Sequence, residues 1–160
     1  DFGTSVGAVL FEAGSPPEMF GAVLAGSLVD SWKTKEDQRQ VIGQAELYPL
    51  LLARRTWASR VRGRRVLYFV DNDSARQAMV KGYSPIKASV SIILSCLKFD
   101  ADHESFAWTA RVPTECNVAD GPSRMEIPTL LRSWGVRVVP PVFPKGEEPL
   151  EVLEDGETAE

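Results

Sequence analysis

Residues 66–73 read VLYFVDND, a continuous β-branched and aromatic run that ends at once in an acid, an amide and a second acid. A run of this composition, bounded by turn residues, predicts a strand covered on both faces, as in a parallel or mixed sheet. The crevice beyond the carboxyl ends of such strands is where α/β proteins build their sites, so Asp71 stands where chemistry is expected. Asp71, Asn72 and Asp73 also suit a plain turn and a cap for the helix predicted over SARQAMV. The stretch alone leaves both readings open.

Working outward, SVGAVLF and MFGAVLAGSL flank EAGSPPE and predict a hairpin. VIGQAELYPLLLARRTWASRV places Ile42, Ala45, Leu50, Ala53 and Trp57 at steps of three and four, a long helix with a kink or break expected at Pro49. DSARQAMVKGY predicts a short helix ending near Gly82, and SPIKASVSIILSCLKF a further helix opened by a Ser-Pro pair. ESFAWTARVP alternates Phe106, Trp108, Ala110 and Val112, as a half-buried strand would. In CNVADGPSRM one helical turn from Asn117 is expected to stop at Gly121 and Pro122. PTLLRSWG predicts a last helix, and VRVVPPVFP an extended exit. The order is that of an α/β fold with an antiparallel start and a parallel continuation. No strand of the pattern lies between the hairpin and VLYFV.

At 160 residues and 44% hydrophobic, the chain has material for one full core, expected over residues 1–140. Its net charge of −4 is unevenly spread. From residue 146 onward there are seven acids and no base, so residues 141–160 read as a disordered acidic tail. Six arginines crowd residues 54–65 (Arg54, Arg55, Arg60, Arg62, Arg64, Arg65), either a surface for a polyanion or a solvated helix end. No apolar run is long enough for a membrane span, and no signal-peptide pattern opens the chain. Cys96 and Cys116 lack metal-type spacing and are expected as free thiols in a reducing compartment, which predicts an intracellular protein, cytoplasmic or nuclear.

The acids supply the chemistry. Glu46 shares a helix surface with Ile42, Leu50 and Ala53, and an acid among core-facing residues requires a proton, a partner or a metal. Asp71 ends the central strand and Asp120 follows the last one; parallel strands leave a sheet at one edge, so the two are expected to converge with Glu46. Three gathered carboxylates favour hard divalent cations. A pair of Mg²⁺ ions, or Mn²⁺ in their place, would activate water and stabilise the leaving oxygen of a phosphodiester.

QAELYPLLLA, YFVDNDSARQAMVKG and WTARVPTECNVADGPSR, in this order, resemble three acidic motifs of the ribonuclease H domain of retrotransposon polyproteins, and VGAVLFEAG resembles its second strand. The likeness runs from about Phe2 to Arg124. It implies a ribonuclease H-like mixed five-stranded sheet flanked by helices, with the first strand truncated here. It implies Glu46, Asp71 and Asp120 as catalytic, metal-binding carboxylates. It further implies hydrolysis of the RNA strand of an RNA–DNA hybrid, and a reverse transcriptase upstream on the same polypeptide. The family's first acid is either Asp1 or a residue ahead of this chain. Where many members carry a histidine before the last acid, TARVP offers Arg111, either a phosphate contact or an exposed strand-end residue. The alternative is a catalytically degenerate module that binds or positions nucleic acid.

Asn72 and Ser74 stand to bond to nucleic acid or to backbone, and Arg124 to anchor its loop or touch a phosphate. Asp73 is expected as a helix cap, His103 as a surface or helix-end residue, and Trp57, Trp108 and Trp134 as core. Trp32, beside Lys33 and Lys35, is the candidate for stacking on a base.

Overall fold

The computed structural model describes residues 4–33 and 41–156; Asp1, Lys35 and the end of the acidic segment lie outside them. The predicted hairpin is present: β1 (Ser5–Leu10) pairs antiparallel with β2 (Glu18–Val23), in a register that sets Gly7 opposite Gly21. A short helix α1 (Gly26–Ser31) follows, then α2 (Ile42–Thr56) and the single turn α3 (Ala58–Val61). The predicted buried run is β3 (Arg65–Val70), followed by α4 (Asp73–Lys81) and α5 (Lys87–Asp102). β4 (Phe106–Arg111), the turn helices α6 (Asp120–Ser123) and α7 (Thr129–Ser133), and the two-residue strands β5 (Arg137–Val138) and β6 (Glu151–Val152) complete the chain.

The architecture is mixed α/β, with antiparallel and parallel strand pairs. The strands form two sets rather than one continuous five-stranded sheet. β1, β2, β5 and β6 make one sheet, while β3 and β4 pair parallel in another. Nothing among the described residues hydrogen-bonds β1 to β3.

Packing explains the layers. α2 lies on the face of β1 that carries Val6, and on its other side meets α5. Leu47, Leu51 and Leu52 of α2 join Phe20, Tyr68, Val70, Ile92 and Ile93 in one buried cluster. The kink or break expected at Pro49 does not divide α2, which is one helix from Ile42 to Thr56. Tertiary packing on two sides offsets the lost backbone donor. Ile42, expected on the buried face, is exposed because the helix starts beyond the edge of the core.

α4 ends as its sequence predicts, with Gly82 left-handed at φ 68°. The N-terminal cap is Asn72 rather than Asp73: Asn72 Oδ1 accepts the Ala75 amide at 2.9 Å. Asp73, one residue later, accepts from Arg76 and Gln77 instead. In CNVADGPSRM the helical turn begins at Asp120 and includes Gly121 and Pro122, which sit within the first turn where a missing amide costs least.

One expectation about the surface is reversed, and one open choice is answered by neither of its alternatives. Residues 141–156 are not a loose tail. Leu150 and Leu153 amides donate to Val23 and Gly21 carbonyls, β6 pairs antiparallel with β2, and Phe143 packs on the core. The apolar residues among the acids, together with an open backbone edge on β2, hold the segment in place.

The arginine cluster is likewise largely spent inside the protein. Arg54 is fully buried, gripping both Asp100 oxygens at 2.9 and 3.1 Å with its guanidinium 4.1 Å from the Tyr68 ring centroid. Arg60 binds Glu12 and Glu18, Arg64 binds Glu12, and Arg55 donates to the Phe143 carbonyl. Only Arg62 and Arg65 of the six lack such a partner among the described residues, so most of the cluster is neither a polyanion surface nor a solvated helix end.

Candidate active site

A groove with a cavity volume of about 970 Å³ runs the whole length of β1 and β3. α2 forms its floor through Ala45, Glu46, Pro49, Leu50 and Ala53, and the loop from Asn117 to Ser123 closes one end. Glu46, Asp71 and Asp120 all line it. Three segments distant in sequence therefore deliver their acids to one cavity.

Each acid is positioned differently. Asp71 is the residue after Val70, so the end of β3 places it; the cap made by Asn72 then turns the chain into α4. Glu46 sits in the second turn of α2, half-buried on the side facing the groove. Burial raises its carboxyl pKa above the ordinary value, and the negative charge of Asp71 raises it further. That second cause means that Glu46 and Asp71 lie within electrostatic reach of one another.

Asp120 is carried by α6, which rests on the β1–β2 hairpin. A Cβ on Gly7 would collide with the Ser123 amide and the Pro122 carbonyl carbon, and one on Gly21 with the Pro122 carbonyl oxygen. The facing Gly7–Gly21 pair is thus a seat without side chains, and it lets the backbone of α6 touch the sheet. Ser5 Oγ donates to the Ser123 carbonyl at 2.6 Å, Ser123 Oγ donates to the Asp120 carbonyl at 2.7 Å, and Asn117 Oδ1 accepts from the Ala119 amide. Sequence reasoning missed this seat, although the two glycines were visible at matched places in VGAV and FGAV.

The Asp120 carboxylate is half-exposed and meets Arg124 Nε at 3.4 Å. Among the described residues no group of three or more His, Cys, Asp or Glu side chains is disposed to hold a metal ion. Glu46 and Asp71 offer the oxygen donors a magnesium ion prefers, and their mutual repulsion is of the kind a cation relieves. Asp120 borders the same cavity but is engaged with Arg124.

The remaining site expectations divide. Asn72 spends its side-chain oxygen on the helix cap. Ser74 and Arg111 are exposed and outside the groove lining, and Arg111 is close enough to Asp73 to help lower that carboxyl, after the larger effects of Arg76 and Gln77. Arg124 is tied to Asp120. Trp32, the stacking candidate, is buried against Tyr48, whereas Trp108 and Trp134, expected in the core, are largely exposed; Trp57 is buried as expected. His103 caps the C-terminal end of α5, with Nδ1 2.9 Å from the Phe99 carbonyl. Cys96 and Cys116 are free thiols, and burial pushes the Cys96 thiol up to about 11. No described helix is long and apolar enough to cross a membrane.

No protein-family model matches the chain, and no curated protein matches it at a significant level. The functional reading therefore rests on the motifs and on the groove.

Proposed function

We propose that the chain is the nuclease module of a retroelement polyprotein, resembling ribonuclease H, which hydrolyses the RNA strand of an RNA–DNA hybrid. What supports this reading is the meeting of Glu46, Asp71 and Asp120 at one groove, with the Glu46 carboxyl raised by burial and by Asp71. Bound Mg²⁺ ions would supply a polarised water and charge relief at the departing oxygen.

The chain's own residues would do the rest. Glu46 and Asp71 hold the cation side of the groove, and Asp120 joins them when Arg124 turns to a phosphate. Arg111 and Ser74, both exposed, would meet the sugar–phosphate backbone, where a 2′-hydroxyl tells RNA from DNA. An upstream reverse transcriptase on the same polypeptide would deliver the hybrid. The test is cleavage of an RNA–DNA hybrid with Mg²⁺ by the 160-residue chain and by its Asp71→Asn variant. Cleavage that Asp71→Asn abolishes supports the proposal; no cleavage by either protein contradicts it.

The Asp120–Arg124 pairing favours a second reading. In it the module binds nucleic acid without cutting it. Hybrid affinity that survives neutralising both Asp71 and Asp120, without Mg²⁺ dependence, is its signature.

A further inference from the structure

The β3–β4 pair has one packed face and one open face. Tyr68 and Val70 turn inward and share the core with α2, α4 and α5, and Thr109, paired with Tyr68, is buried with them. On the opposite face the parallel register sets Arg65 beside Phe106, Leu67 beside Trp108 and Phe69 beside Ala110. Phe69, Phe106 and Trp108 are exposed by 59%, 73% and 59%. Among the described residues none of these three rings lies against another aromatic ring, so none is spent on an aromatic neighbour. A continuous exposed apolar face of this kind marks a binding surface.

The surrounding charge selects the occupant. Arg65 and Arg111 are the charged residues of the two strands, neither strand holds an acid, and Arg65 stands on the open face. Arg62, just ahead of β3, adds a second exposed cation at the same end, while acids come only beyond the strands, at Glu104 and Asp71. Exposed rings with a cation beside them suit a polyanion whose bases can stack, which is a nucleic acid. Phe106 and Trp108, two residues apart on β4, stand roughly 6.6 Å from each other. That is about twice the nucleotide spacing of a duplex strand, so the bases must be unstacked. A duplex or a hybrid hides its base faces; a single strand does not. The open face also offers no side-chain acceptor for the proton of a 2′-hydroxyl, which favours DNA over RNA.

We propose that the open face of β3–β4 binds single-stranded DNA, with bases stacked on Phe106, Trp108 and Phe69 and the phosphates held by Arg65. Phe106 and Trp108 lie outside the lining of the acidic groove, and Leu67 and Phe69 border it. The bound strand therefore lies beside the groove without entering it. The proposal goes beyond the nuclease reading and does not rest on it, since binding is read without Mg²⁺ and cleavage with it.

The experiment is fluorescence anisotropy of a labelled oligothymidylate of about ten nucleotides, titrated with the 160-residue chain in EDTA. An RNA strand of matching sequence and length and an RNA–DNA hybrid are titrated alongside. The DNA strand should bind most tightly. Trp108→Ala and Phe106→Ala should each weaken its binding about 5- to 150-fold, whereas Trp108→Phe, which keeps a ring, should retain most of the affinity. Arg65→Ala should reduce the slope of log affinity against log salt by about 0.7. Trp134→Ala removes an exposed ring from another part of the surface and should leave binding unchanged. The proposal is overturned if the DNA strand does not bind, or if both alanine variants bind it as tightly as the unmodified chain. It is equally overturned if the RNA strand or the hybrid binds at least as tightly as the DNA, or if the chain forms a dimer that Trp108→Ala dissolves, which would make a second copy the occupant.

Discussion

The two halves of the strand layer contrast. The β1–β2 half is enclosed: α2 covers one face, α6 sits on the glycine pair of the other, and β5 with β6 pairs the outer edge of β2. The β3–β4 half buries Tyr68, Val70 and Thr109 but leaves Leu67, Phe69, Phe106 and Trp108 open on its far face. Both halves carry apolar sequence. Hydrophobic content thus does not decide which faces are covered; what other elements reach them does.

This contrast can be broken or sharpened by substitution. The largest effect belongs to the buried pair beneath β3. Asp100→Ala leaves the Arg54 guanidinium buried without its carboxylate, and should cost about 3–5 kcal/mol in urea unfolding. A loss below about 1 kcal/mol would mean that the pair is solvated like an exposed one. Next comes the enclosed hairpin. Gly7→Ala should cost roughly 1–3 kcal/mol, because α6 must lift from the sheet, and should also shift the Asp120 resonances. An unchanged Asp120 environment would show that the glycine seat does not position it.

A smaller effect is expected at Glu46. Its folded-state pKa lies above the unfolded value of about 4.3. The folded state therefore holds that proton more tightly, and the ionised side chain opposes folding increasingly as pH rises through the folded pKa. Glu46→Gln should stabilise the chain at neutral pH and be without effect at pH 3, read as the melting temperature at both. Equal gains at the two pH values would point to packing instead. Least affected is the open face: Leu67→Ser should change stability by no more than about 0.5 kcal/mol. A loss of several times that would mean the face is covered in solution.

Element type was legible where periodicity and punctuation agreed. The hairpin, the long helix, the Gly82 stop and the parallel β3–β4 pair all follow from local pattern. Burial was less so. VLYFV was expected to be covered on both faces, yet a continuous apolar run does not reveal whether a second layer exists, and Leu67 and Phe69 remain exposed. For the arginine cluster the sequence left open a polyanion surface or a solvated helix end, and its partners Glu12, Glu18 and Asp100 lie at least 42 residues away in sequence, where no local pattern announces them. For the site, the position of Asp71 followed from strand logic and that of Glu46 from helix periodicity. The seat under Asp120 depended on a cross-strand register that only the folded hairpin displays.

The shared pocket of Glu46 and Asp71 is tested most directly by NMR titration of the Glu46 side-chain carboxyl, in the chain and in Asp71→Asn. The expected result is a midpoint above the ordinary glutamate value that moves down when the Asp71 charge is removed, and down again in the unmodified chain when Mg²⁺ is added. A Glu46 midpoint indifferent to both changes would contradict the account.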